Sequence, residues 1–341
     1  MYHKIFVFLL LGIFASNCCA KANSERAFLV LHSDSKYILP NDETVVVKNS
    51  TTCGLQEAID RAVAENFDLY IAGGDYKNKV YHCTTSVIFP PLQGKVIKFG
   101  AATINFDGFA DPSQPGMVFD SCMNVTMECN AQIVYHMNGT ALKFQPQKLL
   151  PVDDFVGPTM VASRFHFAAI AHVNTPVAFV GKQGNIPKDN TEASCVAILP
   201  TKSISRCEFH FIELLGGNFG LRIETPAQGS NFSFNHLKGL FVHEQFNTSI
   251  SEGTIDQSPL NNTIIGNQWN VHCAPSPDAR AVDVHGSRGV WTINTIAEKG
   301  NLQSSLSTHN TTQNNTFTIP THDGKFLGPF TPEKPGTNQF R

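Results

Sequence analysis

Between Cys53 and Asn66 the apolar residues Leu55, Ile59, Ala62 and Val63 recur at helical spacing, with Thr51 or Thr52 ahead of them to cap the first turn. One amphipathic helix is expected there. Beyond it the pattern changes to short apolar runs broken by turn residues: Asp68 to Ile71, Gly73-Gly74-Asp75-Tyr76, Ser86 to Phe89 and Lys95 to Phe99. Such runs predict strands. No second helix of comparable length is expected before residue 300, so the chain reads as an all-β body behind a single helix.

Within that body an apolar residue, a variable one and a second apolar residue follow a small or turn-forming residue again and again. The copies are Met117-Val-Phe119, Leu142-Lys-Phe144, Val177-Ala-Phe179, Val196-Ala-Ile198, Leu221-Arg-Ile223 and Val282-Asp-Val284, with first members 25, 35, 19, 25 and 61 residues apart. A second phrase aligns Ser163-Arg164-Phe165-His166-Phe167 with Ser205-Arg206-Cys207-Glu208-Phe209. Spacings of roughly 20–35 residues with strand content suit a solenoid, in which one turn cannot bury its apolar face and must stack on its neighbours. The widest gap is expected to hold one more turn, with Phe232-Ser-Phe234 and Leu240-Phe-Val242 as strands. A β-sandwich of loosely similar strands is the competing architecture.

Composition narrows the partners. The 341 residues are 42% hydrophobic and 16% charged, which describes a folded protein, and 25 Lys plus Arg against 28 Asp plus Glu give a net charge of −3. With no basic block, nucleic acid is not an expected partner. Met1 to Ala20 carries Lys4, an apolar run of 11 residues from Ile5 to Ala15 and a cleavable small-residue end, the pattern of a secretory signal. The run is too short for a membrane span, which needs about 20 apolar residues. A secreted, extracellular protein is expected, with glycosylation sequons at Asn49, Asn124, Asn138, Asn231, Asn247, Asn261, Asn310 and Asn314. An oxidising compartment favours disulfides: Cys53 with Cys83, Cys122 with Cys129 and Cys195 with Cys207 are the expected couples, leaving Cys273 over. Sequence alone leaves their connectivity open, and no cysteine or histidine spacing suggests a metal site.

Gln56-Glu-Ala-Ile-Asp60-Arg-Ala62, then Gly73-Gly-Asp-Tyr76, Val87-Ile-Phe-Pro90 and Ile97-Lys-Phe-Gly100 resemble the opening of pectate-lyase-like right-handed parallel β-helix proteins. The resemblance is close over about 50 residues and continues only as coil periodicity. It implies a single-stranded right-handed parallel β-helix over 51–300 with the helix at 53–66 capping its first coil. Residues 21–50 form a lead, and residues 301–341 a C-terminal cover or partly ordered tail. The cap answers a physical need, since an open first coil would present unpaired backbone groups.

Strand side chains alternate faces, so the residues flanking the second apolar member of each phrase point outward: Lys143/Gln145, Ala178/Val180, Ala197/Leu199, Arg222/Glu224 and Asp283/His285. Arg222, Glu224, Asp283 and His285 are the candidate catalytic residues, and Lys238, His243 and Arg288 the candidate substrate-binding ones. Sugar hydroxyls pair with carboxylates and guanidinium groups, so a polysaccharide or other glycan is the expected ligand. The resemblance implies a lyase, with a Lys or Arg base and Ca²⁺ as the cofactor such an enzyme would use, or a hydrolase with two carboxyl groups. A non-catalytic carbohydrate-binding or adhesive protein is the alternative, monomeric or, through Val180 and Leu199, trimeric. Val284-His285-Gly286 lacks the leading glycine of the polygalacturonase-like motif, and the Trp-Ile-Asp-His and Arg-Pro motifs of classical pectate lyases are absent.

Overall fold

The helix spans Leu55–Ala64 and buries Leu55, Ala58, Ile59 and Ala62 against strands Phe28–His32, Asp68–Ile71 and Val87–Phe89. Gly54, in a left-handed conformation at φ 83°, occupies the cap position. The capping oxygen comes from Thr52, whose Oγ1 accepts the Gln56 N–H at 3.1 Å, while Ser50 Oγ accepts the Gly54 N–H at 2.8 Å.

The computed structural model describes residues 27–32, 35–74, 76–150, 157–173, 186, 190, 192–225, 229–243, 245, 247–252, 263–274, 279–295, 306–308, 314–318, 321–322, 325–326, 330–332 and 339–340. The signal segment, Val177–Phe179, Val180, Asn261 and Asn310 lie outside them. Apart from the helix the described residues are all-β, and three sheets, A, B and C, are visited in a fixed order. Met117–Phe119 lies in B, Cys122–Met123 in C and Thr126–Tyr135 in A, and the next circuit repeats this with Leu142–Phe144, Thr159–Val161 and Arg164–His172. Each strand pairs in parallel with its counterpart one circuit on, so equivalent residues stand about 4.8 Å apart. Sheets B and C are parallel throughout; sheet A is parallel except at its N-terminal edge, where Lys36–Ile38 and Thr44–Val46 join antiparallel. The arrangement is compatible with a β-helix.

The recurring phrase is the sheet B ladder: Met117, Leu142, Val196, Leu221, Ile250 and Val282 stand in register. Leu142 steps directly to Val196. The wide gap holds the additional circuit Asn231–Ser233, His236–His243 and Thr248–Glu252. The second phrase is corrected by two residues, because Arg164-Phe-His-Phe lies over Glu208-Phe-His-Phe: Phe165 pairs with Phe209, His166 with His210 and Phe167 with Phe211. A slip of two keeps every side chain on its face, so alternation alone does not choose between the registers. Burial does, since the Phe165/Phe209 and Phe167/Phe211 rings stack inside at 5.4 and 5.7 Å between centroids. Phe89, Phe119 and Phe144 stack on the sheet B wall, and Trp269, Trp291 and Phe317 continue the sheet A wall. Pairing runs on past residue 300, through Leu306–Thr308 and Phe330–Pro332 in B and Thr316–Thr318 and Gln339–Phe340 in A.

The corner between sheets C and A is built alike in the described circuits. Gly94, Asn124, Ala162, Arg206, Phe234, Gly266, Arg288 and Asn314 all adopt left-handed φ between 49° and 68° there. In three of the later circuits the next residue is a buried asparagine, Asn235, Asn267 or Asn315, and after Arg288 it is Gly289. The Asn267 amide accepts the Asn235 N–H at 2.9 Å and donates to the Phe232 carbonyl at 3.1 Å, satisfying backbone groups that the turn takes out of the ladder.

The expected disulfides are not formed: Cys53, Cys83, Cys122, Cys129, Cys195, Cys207 and Cys273 are free thiols. Cys122 lies on sheet C and Cys129 on sheet A, while Cys195 lies on sheet B and Cys207 at the C–A corner, so neither couple shares a wall. Cys53 and Cys83 run side by side, but each thiol donates to the other's neighbouring carbonyl, Cys53 to His82 and Cys83 to Thr52. Burial pushes the thiols of Cys129, Cys195 and Cys207 up to about 12.

Candidate functional site

The chemistry-bearing side chains concentrate on the outer face of sheet A. Its inward file runs Met127, Phe165, Phe209, Leu237, Trp269, so the alternating positions must face out. They form two files beside the corner: Arg164, Glu208, His236 and Gln268, and next to it Lys98, Glu128, His166, His210 and Lys238. Lys98 pairs with Glu128 at 3.1 Å, and Lys238 pairs diagonally with Glu208, holding the Glu208 carboxyl below its usual range. The His166 and His210 rings stack at 4.3 Å. Burial, with His166 and Lys238 alongside, lowers the His210 pKa. His210 lies on Gly239, where a Cβ would come within 2.1 Å of its Nε2 and where φ is +67°, so only glycine fits.

Further along the same strands lies a second cluster. Glu213, Phe241 and His272 are rung neighbours, and His243 Nε2 sits 2.9 Å from Glu213 Oε1. The Phe241 ring is 37% exposed and packs on His243 at 4.8 Å and near His272 at 6.5 Å. An oriented imidazole, a carboxylate and an open aromatic ring thus share one flat face.

The predicted quartet is spread over sheet B. Arg222 and Asp283 belong to one outward file with Ser251 between them, two rungs or about 10 Å apart. Arg222 is only 2% exposed. Its guanidinium pairs with Glu192 at 3.3 Å and with Glu224 at 3.0 Å. Asp283 pairs with Arg280 at 3.2 Å and lies 3.6 Å from His285. Glu224 continues its strand two residues beyond Arg222, so its Cα stands roughly 12 Å from that of Asp283. Leu199, expected to point outward, is buried as well. Among the other predicted residues, Lys238 and His243 lie on the sheet A face, and Arg288 is exposed at the C–A corner. Among the sequons, Asn49, Asn124, Asn138, Asn247 and Asn314 are exposed, whereas Asn231 is half-buried, its amide oxygen accepting from Ser203 and Ser233.

Sequence reasoning missed Arg164, His166, Glu208, His210, Glu213 and Phe241 as site residues. The signal was present in Arg-Phe-His-Phe and Glu-Phe-His-Phe, where aromatic-in and polar-out alternate, but the misaligned register hid their stacking. Among the described residues no group of three or more His, Cys, Asp or Glu side chains is arranged to hold a metal ion. No protein-family model matches the chain, and no curated protein or solved structure matches it either.

Proposed function

We propose that the protein is a secreted right-handed parallel β-helix of the pectate-lyase-like kind that binds a polysaccharide on the outer face of sheet A. The three-sheet circuit and the N-terminal helix support the fold. The observation that carries the function is the exposed Phe241 ring beside the Glu213–His243 pair and His272. A pyranose offers an apolar C–H face and a rim of hydroxyls, and this face offers a ring for the first and a carboxylate and imidazoles for the second. A catalytic reading, lyase or hydrolase, is favoured by one feature. Glu213 engages Nε2 of His243, which leaves Nδ1 to exchange a proton with a bound sugar, the work of a general acid–base group.

The test is a panel of neutral and acidic polysaccharides, reading bound protein, unsaturated products and new reducing ends. Phe241→Ala is expected to weaken binding at least tenfold at an unchanged unfolding midpoint. His243→Ala abolishes turnover if the face is catalytic and only weakens binding if it is not. Absence of binding to every polysaccharide, or binding indifferent to Phe241→Ala, refutes the proposal.

A further inference from the structure

We infer that the groove at the corner of sheets C and A is a separate binding site that takes a carboxylate or sulfate group carried on a sugar ring. It rests on the polysaccharide reading for the ring and not for the charge. Phe234 stands seven residues before Phe241 along the chain, roughly 20 Å of extended strand. An open cavity of about 380 Å³ is lined there by Ala162, Arg164, Arg206, Glu208, Phe234 and His236.

Three observations converge on an anionic ligand with a flat face. First, Arg164 and Arg206 enter the groove from consecutive circuits, and neither guanidinium has an ion-pair partner among the described residues. Second, the one carboxylate in the lining, Glu208, is engaged by Lys238 on the neighbouring file, so the groove keeps an excess of positive charge. Planar guanidinium groups suit the oxygens of carboxylate and sulfate. Third, Phe234 is 64% exposed and left-handed at φ 55°, a conformation that bulky residues avoid. Its ring lies against the next corner, Gly266, where a Cβ would come within 2.8 Å of the ring. The glycine seats the aromatic and leaves it open to solvent. Arg206 and Phe234 occupy equivalent positions of adjacent circuits, about 4.8 Å apart at the backbone, a span on the scale of one sugar residue with its charged substituent.

The experiment is calorimetric titration with a chondroitin 4-sulfate tetrasaccharide, a hyaluronan tetrasaccharide, neutral cellotetraose and inorganic sulfate. The variants are Arg206→Asn and Phe234→Asn, because Asn124 and Asn314 already occupy the same corner at φ 53° and 55° and the turn should therefore survive. The charged tetrasaccharides are expected to bind in preference to cellotetraose. Preference for chondroitin sulfate identifies sulfate as the anion, and equal affinity for hyaluronan identifies carboxylate. Arg206→Asn should weaken both at least about tenfold, the loss of one charge-assisted hydrogen bond. Phe234→Asn should weaken the tetrasaccharides and leave inorganic sulfate unaffected. Equal affinity for neutral and charged sugars, or no effect of Arg206→Asn, overturns the site. If Phe241→Ala abolishes saccharide binding while Arg206→Asn does nothing, the polysaccharide reading stands and the corner site falls. Binding of inorganic sulfate alone overturns the assignment to a sugar.

Discussion

Glu252 is the one carboxylate in an interior file that runs Phe89, Phe119, Phe144, Ile198, Ile223, Glu252, Val284, Thr308 and Pro332. It is 2% exposed, and its Oε2 accepts the Gly286 N–H at 3.1 Å. Gly286 leaves no space for relaxation, since a Cβ there would stand 2.8 Å from that oxygen. Burial raises the Glu252 pKa from an ordinary 4.5 to about 8, against the opposing effects of Gly286 and the Trp269 indole, with nearby Asp283 adding to the rise. Between those two values the folded chain holds a proton that the unfolded chain releases, so stability is highest below pH 4.5 and falls as pH rises. Each pH unit inside the window costs about 1.4 kcal/mol, hence about 2.7 kcal/mol from pH 5 to pH 7. Glu252→Gln keeps an acceptor for Gly286 and removes the ionisation. Urea unfolding of both proteins across pH 5–8 should show the variant gaining on the parent by that amount, with equal slopes on denaturant. Parallel stability curves would show that Glu252 does not titrate inside the window and would refute the argument.

Three further outcomes are expected. Asn267→Ala should cost about 2–3 kcal/mol in urea unfolding, because it orphans the Asn235 N–H and the Phe232 carbonyl in a buried turn. Arg222→Ala should cost about 1–2 kcal/mol in urea unfolding, mostly the packing of a buried side chain, because the Glu192 and Glu224 carboxylates it leaves behind keep contact with water; an unchanged midpoint would contradict that role. Mass spectrometry after iodoacetamide treatment of native protein should find at most half-buried Cys53 modified, with the six buried thiols reacting only after denaturation. Disulfide-linked peptides at any couple would contradict the free-thiol arrangement.

The chain announces its local elements because helix and strand periods are set by neighbouring residues. The amphipathic stretch around Leu55–Ala64 and the apolar pairs of the sheet B ladder need no tertiary information to be read. The left-handed corners did not stand out, since Asn124, Arg206 and Phe234 share a backbone conformation without sharing a side-chain type. Inward and outward faces were legible for the same reason as the strands, yet outward did not mean exposed: Arg222 points away from the interior and is still buried, paired with Glu192 thirty residues earlier.

Sequence by itself determined an all-β chain behind one helix, with a recurring strand phrase and the alternation of its faces. Only tertiary structure decided which repeat stacks on which. Circuit length varies through insertions at the corners, and a slip of two residues preserves every face, so local pattern carries no penalty for the wrong register. The penalty arises when rings meet or miss in the interior, as Phe165 meets Phe209. That same contact brings His166 over His210 and Arg164 over Glu208 on the outside, which is why the candidate sites appeared only with the fold.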